Sequence, residues 1–187
     1  MVPTRPLLFT VGHGTASQAD FLHLLEAAEV SSLVDVRIGP GSRNFPHFGK
    51  DRLENWLPES GISYRWEKRL GGFRRLPPGS PDTALRNESF RAYASHMRTA
   101  DFGAALAGLI SDAVEQRTVI MCSETVWWRC HRRLIADHCV LLDGLDVQHL
   151  MPPAKLTPHV PTKGVRVLGG TLLYDVEYDV ADDADDA

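Results

Sequence analysis

Long hydrophobic runs are missing from this chain. No apolar stretch approaches the roughly 20 residues that a membrane helix requires. The apolar segment that starts at Leu7 is interrupted by Gly12 and His13 before it reaches signal-peptide length. A cytoplasmic protein with no membrane role is the expectation. Cysteine is sparse and odd in number: Cys122, Cys130 and Cys139 cannot form a complete disulfide framework, so free, reduced thiols are expected. Charge of one sign is also lacking. The net charge is −4, and residues 179–187 alone carry five Asp, so the remaining body is near neutral. That argues against a wholly basic nucleic-acid-binding domain. A local basic groove is still allowed, because Arg37, Arg43, Arg65, Lys68, Arg69, Arg74 and Arg75 fall in one stretch. Internal repeats are absent, and nothing in the sequence sets an oligomeric state.

What is present suits one α/β domain. The 187 residues, 43% hydrophobic and 24% charged, can bury a core without a disulfide or structural metal. Residues 7–12 read as a buried strand that empties into Gly12-His13-Gly14. Ser17 caps a helix with apolar positions Phe21, Leu22, Leu24, Leu25 and Ala28. A second strand spans 32–38, a turn-rich loop 39–48, a short helix 53–57 and a third strand 62–66. Residues 73–88 read as a long excursion or flap. Helices at 88–97 and 101–115 lead to a fourth strand at 118–122, a loop at 123–131 and a helix to about residue 142. A last core strand covers 146–151. Beyond Pro152, Pro153, Pro158 and Pro161, residues 165–180 alternate as a terminal strand or hairpin. The expected architecture is a single domain over 1–180, with a mostly parallel central sheet flanked by helices on both faces and an acidic, disordered tail at 181–187. Ligands bind such sheets at the carboxyl ends of the strands.

The polar clusters fall at those ends. Cys122, Glu124, Cys130, His131 and Arg132 lie between the fourth strand and the following helix. Cys122 reads as a thiolate nucleophile, with Cys130 as a helix-start thiol, or both as small buried residues. Glu124 reads as a general base, an orienting group or a cap, and His131 as a catalytic acid or a packed core histidine. Arg129 follows Cys122 after six residues, so the phosphatase spacing of five is not met. The spacing of Cys122, Cys130 and His131 is too irregular for a zinc signature, and no metal ligand is assigned. Asp35 and Arg37 alternate on one face of their strand, as a carboxylate holding a guanidinium for an anion or as a structural ion pair. Ser42 and Arg43 sit in a loop whose amides could cradle phosphate without a P-loop signature. Phe45, Phe48, Tyr64 and Trp66 offer surfaces for stacking a base.

Six segments in order carry a family resemblance: Thr10-Val-Gly-His-Gly14, Leu33-Val-Asp-Val-Arg37, Ser42-Arg43 with Pro46-His-Phe48, Gly61-Ile-Ser-Tyr64, Leu70-Gly-Gly72, and Cys122-Ser-Glu124 with Cys130-His-Arg132. On these the chain resembles the family called domain of unknown function 488. The resemblance implies a compact α/β domain with these motifs as a shared site, and no reaction. The chemistry of the residues themselves makes His13, Asp35, Arg37, Ser42, Arg43, Tyr64, Cys130 and Arg132 substrate-binding candidates around the catalytic candidates Cys122, Glu124 and His131. A looser similarity is to rhodanese-like domains, through Val34-Asp-Val-Arg37 and Val119-Ile-Met-Cys122. The loop after Cys122 departs from the compact cradle of sulfur transfer, since it contains Trp127, Trp128 and a second Cys-His. Three functions follow as expectations: an enzyme acting on an anionic small molecule such as a nucleotide, a nucleic-acid-binding or repair-associated domain, or a non-catalytic ligand sensor. No cofactor is named.

Overall fold

The computed structural model describes residues 5–41 and 43–178. Five parallel strands and one antiparallel strand form the central sheet. In chain order these are β1 (Leu7–Gly12), β2 (Ser32–Asp35), β3 (Ser63–Trp66), β4 (Thr118–Cys122), β5 (Asp146–Met151) and β6 (Lys155–Pro158), and their spatial order is β3-β2-β4-β1-β5-β6. The continuous apolar runs of β1 and β4 reflect burial on both faces. Helices α1 (Gln18–Ala27) and α2 (Lys50–Glu59) cover one face with Phe21, Leu25, Leu53 and Leu57. Helices α3 (Glu88–Met97), α4 (Ala100–Glu115) and α5 (Arg132–Leu141) cover the other with Tyr93, Phe102, Leu109 and Leu134. The α/β architecture with helices on both faces is as expected from the alternating pattern. Among the described residues, no helix is long and apolar enough to cross a membrane.

Several boundaries differ from the sequence reading. Strand β2 stops at Asp35 rather than at residue 38. The Arg37 amide turns back to the Asp35 carboxylate (3.1 Å), so the chain leaves the ladder. Helix α2 begins at Lys50 and runs to Glu59, well beyond the 53–57 expected. The prolines after β5 conceal β6, an edge strand that ends on Pro158, a position where a missing donor costs no ladder bond. The excursion at 73–87 lacks regular structure, but it is pinned: buried Asp82 binds Arg98 (2.6 Å), and Leu85 is buried. Of the terminal alternation, β7 (Val165–Leu168) and β8 (Thr171–Tyr174) form a hairpin. Its turn, Gly169-Gly170, has both residues at positive φ, the two-residue connection that matches strand twist. The expected tail at 181–187 lies outside the described residues.

The connections decide where a ligand can sit. After β1 and β2 the chain turns to the α1–α2 face, whereas after β4 it turns to the α5 face. Strand β4 lies between β2 and β1, so its carboxyl end opens a crevice flanked by both neighbouring loops.

Candidate functional site

The loops after β1 and β4 lie unusually close. His13 and Gly14 donate backbone hydrogen bonds to the Cys122 and Ser123 carbonyls (3.0 and 2.9 Å). A Cβ on Gly12 would sit 1.8 Å from the Glu124 carbonyl oxygen, so only glycine permits this approach. The loop after β2 closes the other side: Val36 donates to the Met121 carbonyl, and His131 reaches the Val36 carbonyl with Nε2 (3.1 Å). Chain-distant motifs thereby meet at one place.

Arg37 is held almost completely. Its Nε and Nη2 bind the two oxygens of buried Asp35 (2.8 and 2.6 Å), Nη2 also reaches the Phe48 carbonyl (2.8 Å), and Nη1 reaches His13 Nε2 (3.3 Å). The fork geometry aligns the guanidinium plane on the carboxylate. His13 stacks on Phe48 with ring centroids 4.1 Å apart and points Nδ1 at the Gly14 carbonyl (3.0 Å). Burial, then the adjacent Arg37 cation, lower its pKa to about 4, so His13 is a neutral acceptor near neutral pH. Tyr64 donates to Asp35 (2.9 Å), and burial together with that carboxylate pushes its phenol up.

A sulfur and imidazole cluster lies beyond Arg37. The Sγ atoms of Cys122 and Cys130 and one ring nitrogen of His131 all lie within 4.8 Å of one another. The Cys130 sulfur is 3.6 Å from His131 Nδ1 and accepts from Arg132 Nε (3.2 Å). Burial alone would raise the Cys130 thiol, but the Cys122 hydrogen bond, the Arg132 guanidinium and the His131 ring outweigh it and hold it well below the usual range. The hydrogen bond to Cys130 and then burial push Cys122 well above that range, so Cys130 is the more readily ionised of the two. The Val36 carbonyl can only accept, so His131 Nε2 carries hydrogen and Nδ1 faces the sulfur.

Behind the sulfurs runs a hydrogen-bonded chain with little sequence signature. Arg132 Nη1 reaches Thr10 Oγ1 (3.4 Å), which lies 2.7 Å from His149 Nδ1. His149 Nε2 lies 2.9 Å from His159 Nδ1, and His159 Nε2 lies 2.8 Å from Asp137 Oδ1. With one proton on each imidazole, a single donor order satisfies every acceptor from Arg132 to Asp137. Tyr174 and the Thr162 amide complete the Asp137 carboxylate (2.9 and 2.8 Å). Trp127 stacks on His149 at 3.9 Å, and burial, then His159, lower the His149 pKa to about 2.

A cavity of about 800 Å³ opens over the cluster. Of the residues singled out in the sequence, Arg37, Cys122, Glu124, Cys130 and His131 line it. Asp35, His13, Tyr64 and Arg132 stand behind these and orient them. Arg43 is exposed and is not part of the cavity wall. Ser42 lies outside the described residues. Tyr93, Arg129 and the rim residue Phe73, which is 92% exposed, line the cavity although sequence reasoning did not select them for it. The basic stretch is largely consumed within the protein. Arg65 binds Asp112 and Glu67, Arg69 binds Glu67, and Arg74 binds the carbonyls of Lys68, Arg69 and Gly71.

Chemically, a thiolate beside an imidazole can attack an electrophile, and the same three atoms can hold a soft cation. A family model described as Domain of unknown function DUF488 matches residues 17–139. No curated protein matches the chain, and neither does any solved structure.

Proposed function

The chain belongs to the DUF488 family, a membership that names no reaction, and from its cavity we propose an enzyme that acts on an anionic small molecule. The observation that carries this reading is one cavity lined by both a buried guanidinium and a cluster of two sulfurs and an imidazole. Four of the five Arg37 N–H groups have partners within the protein, and the remaining Nη1 hydrogen is available to a ligand oxygen. The carboxylate of Asp35 fixes the guanidinium in place before a ligand arrives, which lowers the ordering cost of binding. Arg129 adds a second cation at the wall, and the exposed Phe73 ring at the rim suits an aromatic portion such as a nucleobase. Chemistry then falls to the Cys122, Cys130 and His131 cluster, with Glu124 as a carboxylate on the same wall.

Thermal unfolding against a panel of inorganic phosphate, nucleotides and small carboxylates tests the reading. A ligand at about 100 times its Kd raises stability by about 2.7 kcal/mol. Arg37→Lys keeps the charge but loses the fork, and the stabilisation should fall with it. Turnover of the stabilising ligand should disappear in Cys130→Ser. Stabilisation without turnover would make the protein a sensor. Absence of any stabilising anion, or stabilisation unchanged in Arg37→Lys, would remove the anion reading.

A further inference from the structure

We propose that Cys122, Cys130 and His131 form a three-ligand site for a soft or borderline divalent metal ion, Zn²⁺ foremost, with a fourth coordination position open to the cavity. The spacing along the chain gives no such signal, because the seven residues between Cys122 and Cys130 fit no paired-ligand pattern. The fold supplies the closeness that the spacing lacks. Tetrahedral coordination at usual bond lengths puts sulfur and nitrogen ligands about 3.5 Å apart and two sulfurs about 3.8 Å apart. Cys130 Sγ and His131 Nδ1 are already 3.6 Å apart, and no pair in the cluster exceeds 4.8 Å. Closing around an ion needs movement of about an ångström.

The surroundings have the features of a ligand shell. His131 donates Nε2–H to the Val36 carbonyl, which turns Nδ1 toward the sulfurs, where it coordinates on losing any proton it shares with Cys130; outer-shell carbonyls orient metal-bound histidines in the same way. Cys130 is held by Arg132 Nε, and Arg132 is held through Thr10. Among the described residues no third thiol or second imidazole completes a closed structural set, and Cys139 lies buried in α5 outside the cluster. Two sulfurs and one nitrogen with the last position facing a cavity is the donor set of a catalytic rather than a structural zinc site. Charge balances as well. Binding releases the thiol protons to solvent, and two thiolates with a neutral imidazole neutralise the ion. Oxygen-seeking Mg²⁺ and Ca²⁺ find no matching donors among the three.

The site shares its cavity with the proposed anion pocket, but it is tested without any anion. Co²⁺ is titrated into fully reduced, chelator-treated protein. One equivalent should give a sulfur-to-cobalt charge-transfer band with the visible bands of a four-coordinate ion, and Zn²⁺ should abolish both. Cys122→Ser and His131→Ala should each weaken binding by more than about 100-fold, because losing even an outer-shell partner costs 10–100-fold. Cys139→Ser should bind as the parent does. Since the ligand variants could also unfold, alkylation of the parent protein gives a second readout: Zn²⁺ should protect Cys122 and Cys130 from iodoacetamide. A folded, reduced protein with no charge-transfer band, a band unchanged in both variants, or alkylation indifferent to Zn²⁺ would overturn the proposal. Anion stabilisation lost in Arg37→Lys would survive that outcome, and metal binding would survive the failure of every anion.

Discussion

Replacing Asp35 with Asn isolates the charge that holds Arg37. The substitution keeps the shape of the side chain, so the bonds from the Arg37 amide and Nε can persist while the negative charge is lost. Asp35 is fully buried and Arg37 is 5% exposed, so solvent cannot take the place of the carboxylate. Stranding one member of a buried pair costs about 3–5 kcal/mol, whereas an exposed pair is worth about 0–1 kcal/mol. For a domain of this size each kcal/mol lowers Tm by about 2–4 °C, so the loss should be about 10 °C. Urea unfolding with an unchanged m-value measures it directly. Tyr64→Phe removes one neutral donor to the same carboxylate and should cost only about 1 kcal/mol. Asp35→Asn combined with Arg37→Met removes both charges and should recover part of the loss, giving strong non-additivity. If Asp35→Asn costs no more than Tyr64→Phe, the carboxylate is not what fixes the guanidinium, and the preorganised anion anchor falls with it.

Acid should destabilise the protein through its neutral buried histidines. Because the folded pKa values of His13 (about 4) and His149 (about 2) lie below the unfolded value, their contribution is complete above about pH 6.5 and is lost as pH falls. For His13 the difference amounts to roughly 3 kcal/mol by pH 4, so the gap in urea midpoint between the parent protein and His13→Gln should change between pH 6.5 and 4. A gap that stays constant would contradict the buried neutral state. Gly12→Ala should cost at least about 2 kcal/mol, because its methyl group meets the Glu124 carbonyl at 1.8 Å. Gly39→Ala, where a Cβ meets nothing within 4 Å, should stay within about 0.5 kcal/mol; equal effects would mean that the two loops are not in close contact.

The parts of this site that could be read from sequence are those encoded locally. Alternating strands and helices put strand ends on one edge by a topological rule, so Arg37 after β2 and Cys122 after β4 were expected to meet, and they line one cavity. Burial direction was not legible. Arg132 resembles a ligand-binding arginine in the first turn of a helix, yet it is 1% exposed and serves Cys130 from behind. Strand β6 was hidden because prolines mark breaks far more often than edge strands. The apparent basic groove dissolved in part for a similar reason: besides nearby Glu67, Arg65 binds Asp112, 47 residues away on α4, and no linear pattern pairs those two.

The chain from Arg132 to Asp137 shows why such pairings matter. His149 occupies an inward position of an ordinary strand, Thr10 an inward position of another, and His159 follows the edge strand, so each alone reads as core. Together they link a cation at the thiolate to a buried carboxylate on α5. Asp35 does the same for Arg37 directly. The Arg37 and Arg132 guanidinium groups are therefore tethered to buried acids that lie outside the cavity wall, and neither is left to swing into an approaching ligand or metal. The fixed Arg132 guanidinium, bonded to the Cys130 sulfur, lowers the pKa of that thiol without help from a mobile side chain. A sulfur so held is ready either for an electrophile or for a metal ion, and the metal titration separates these two uses.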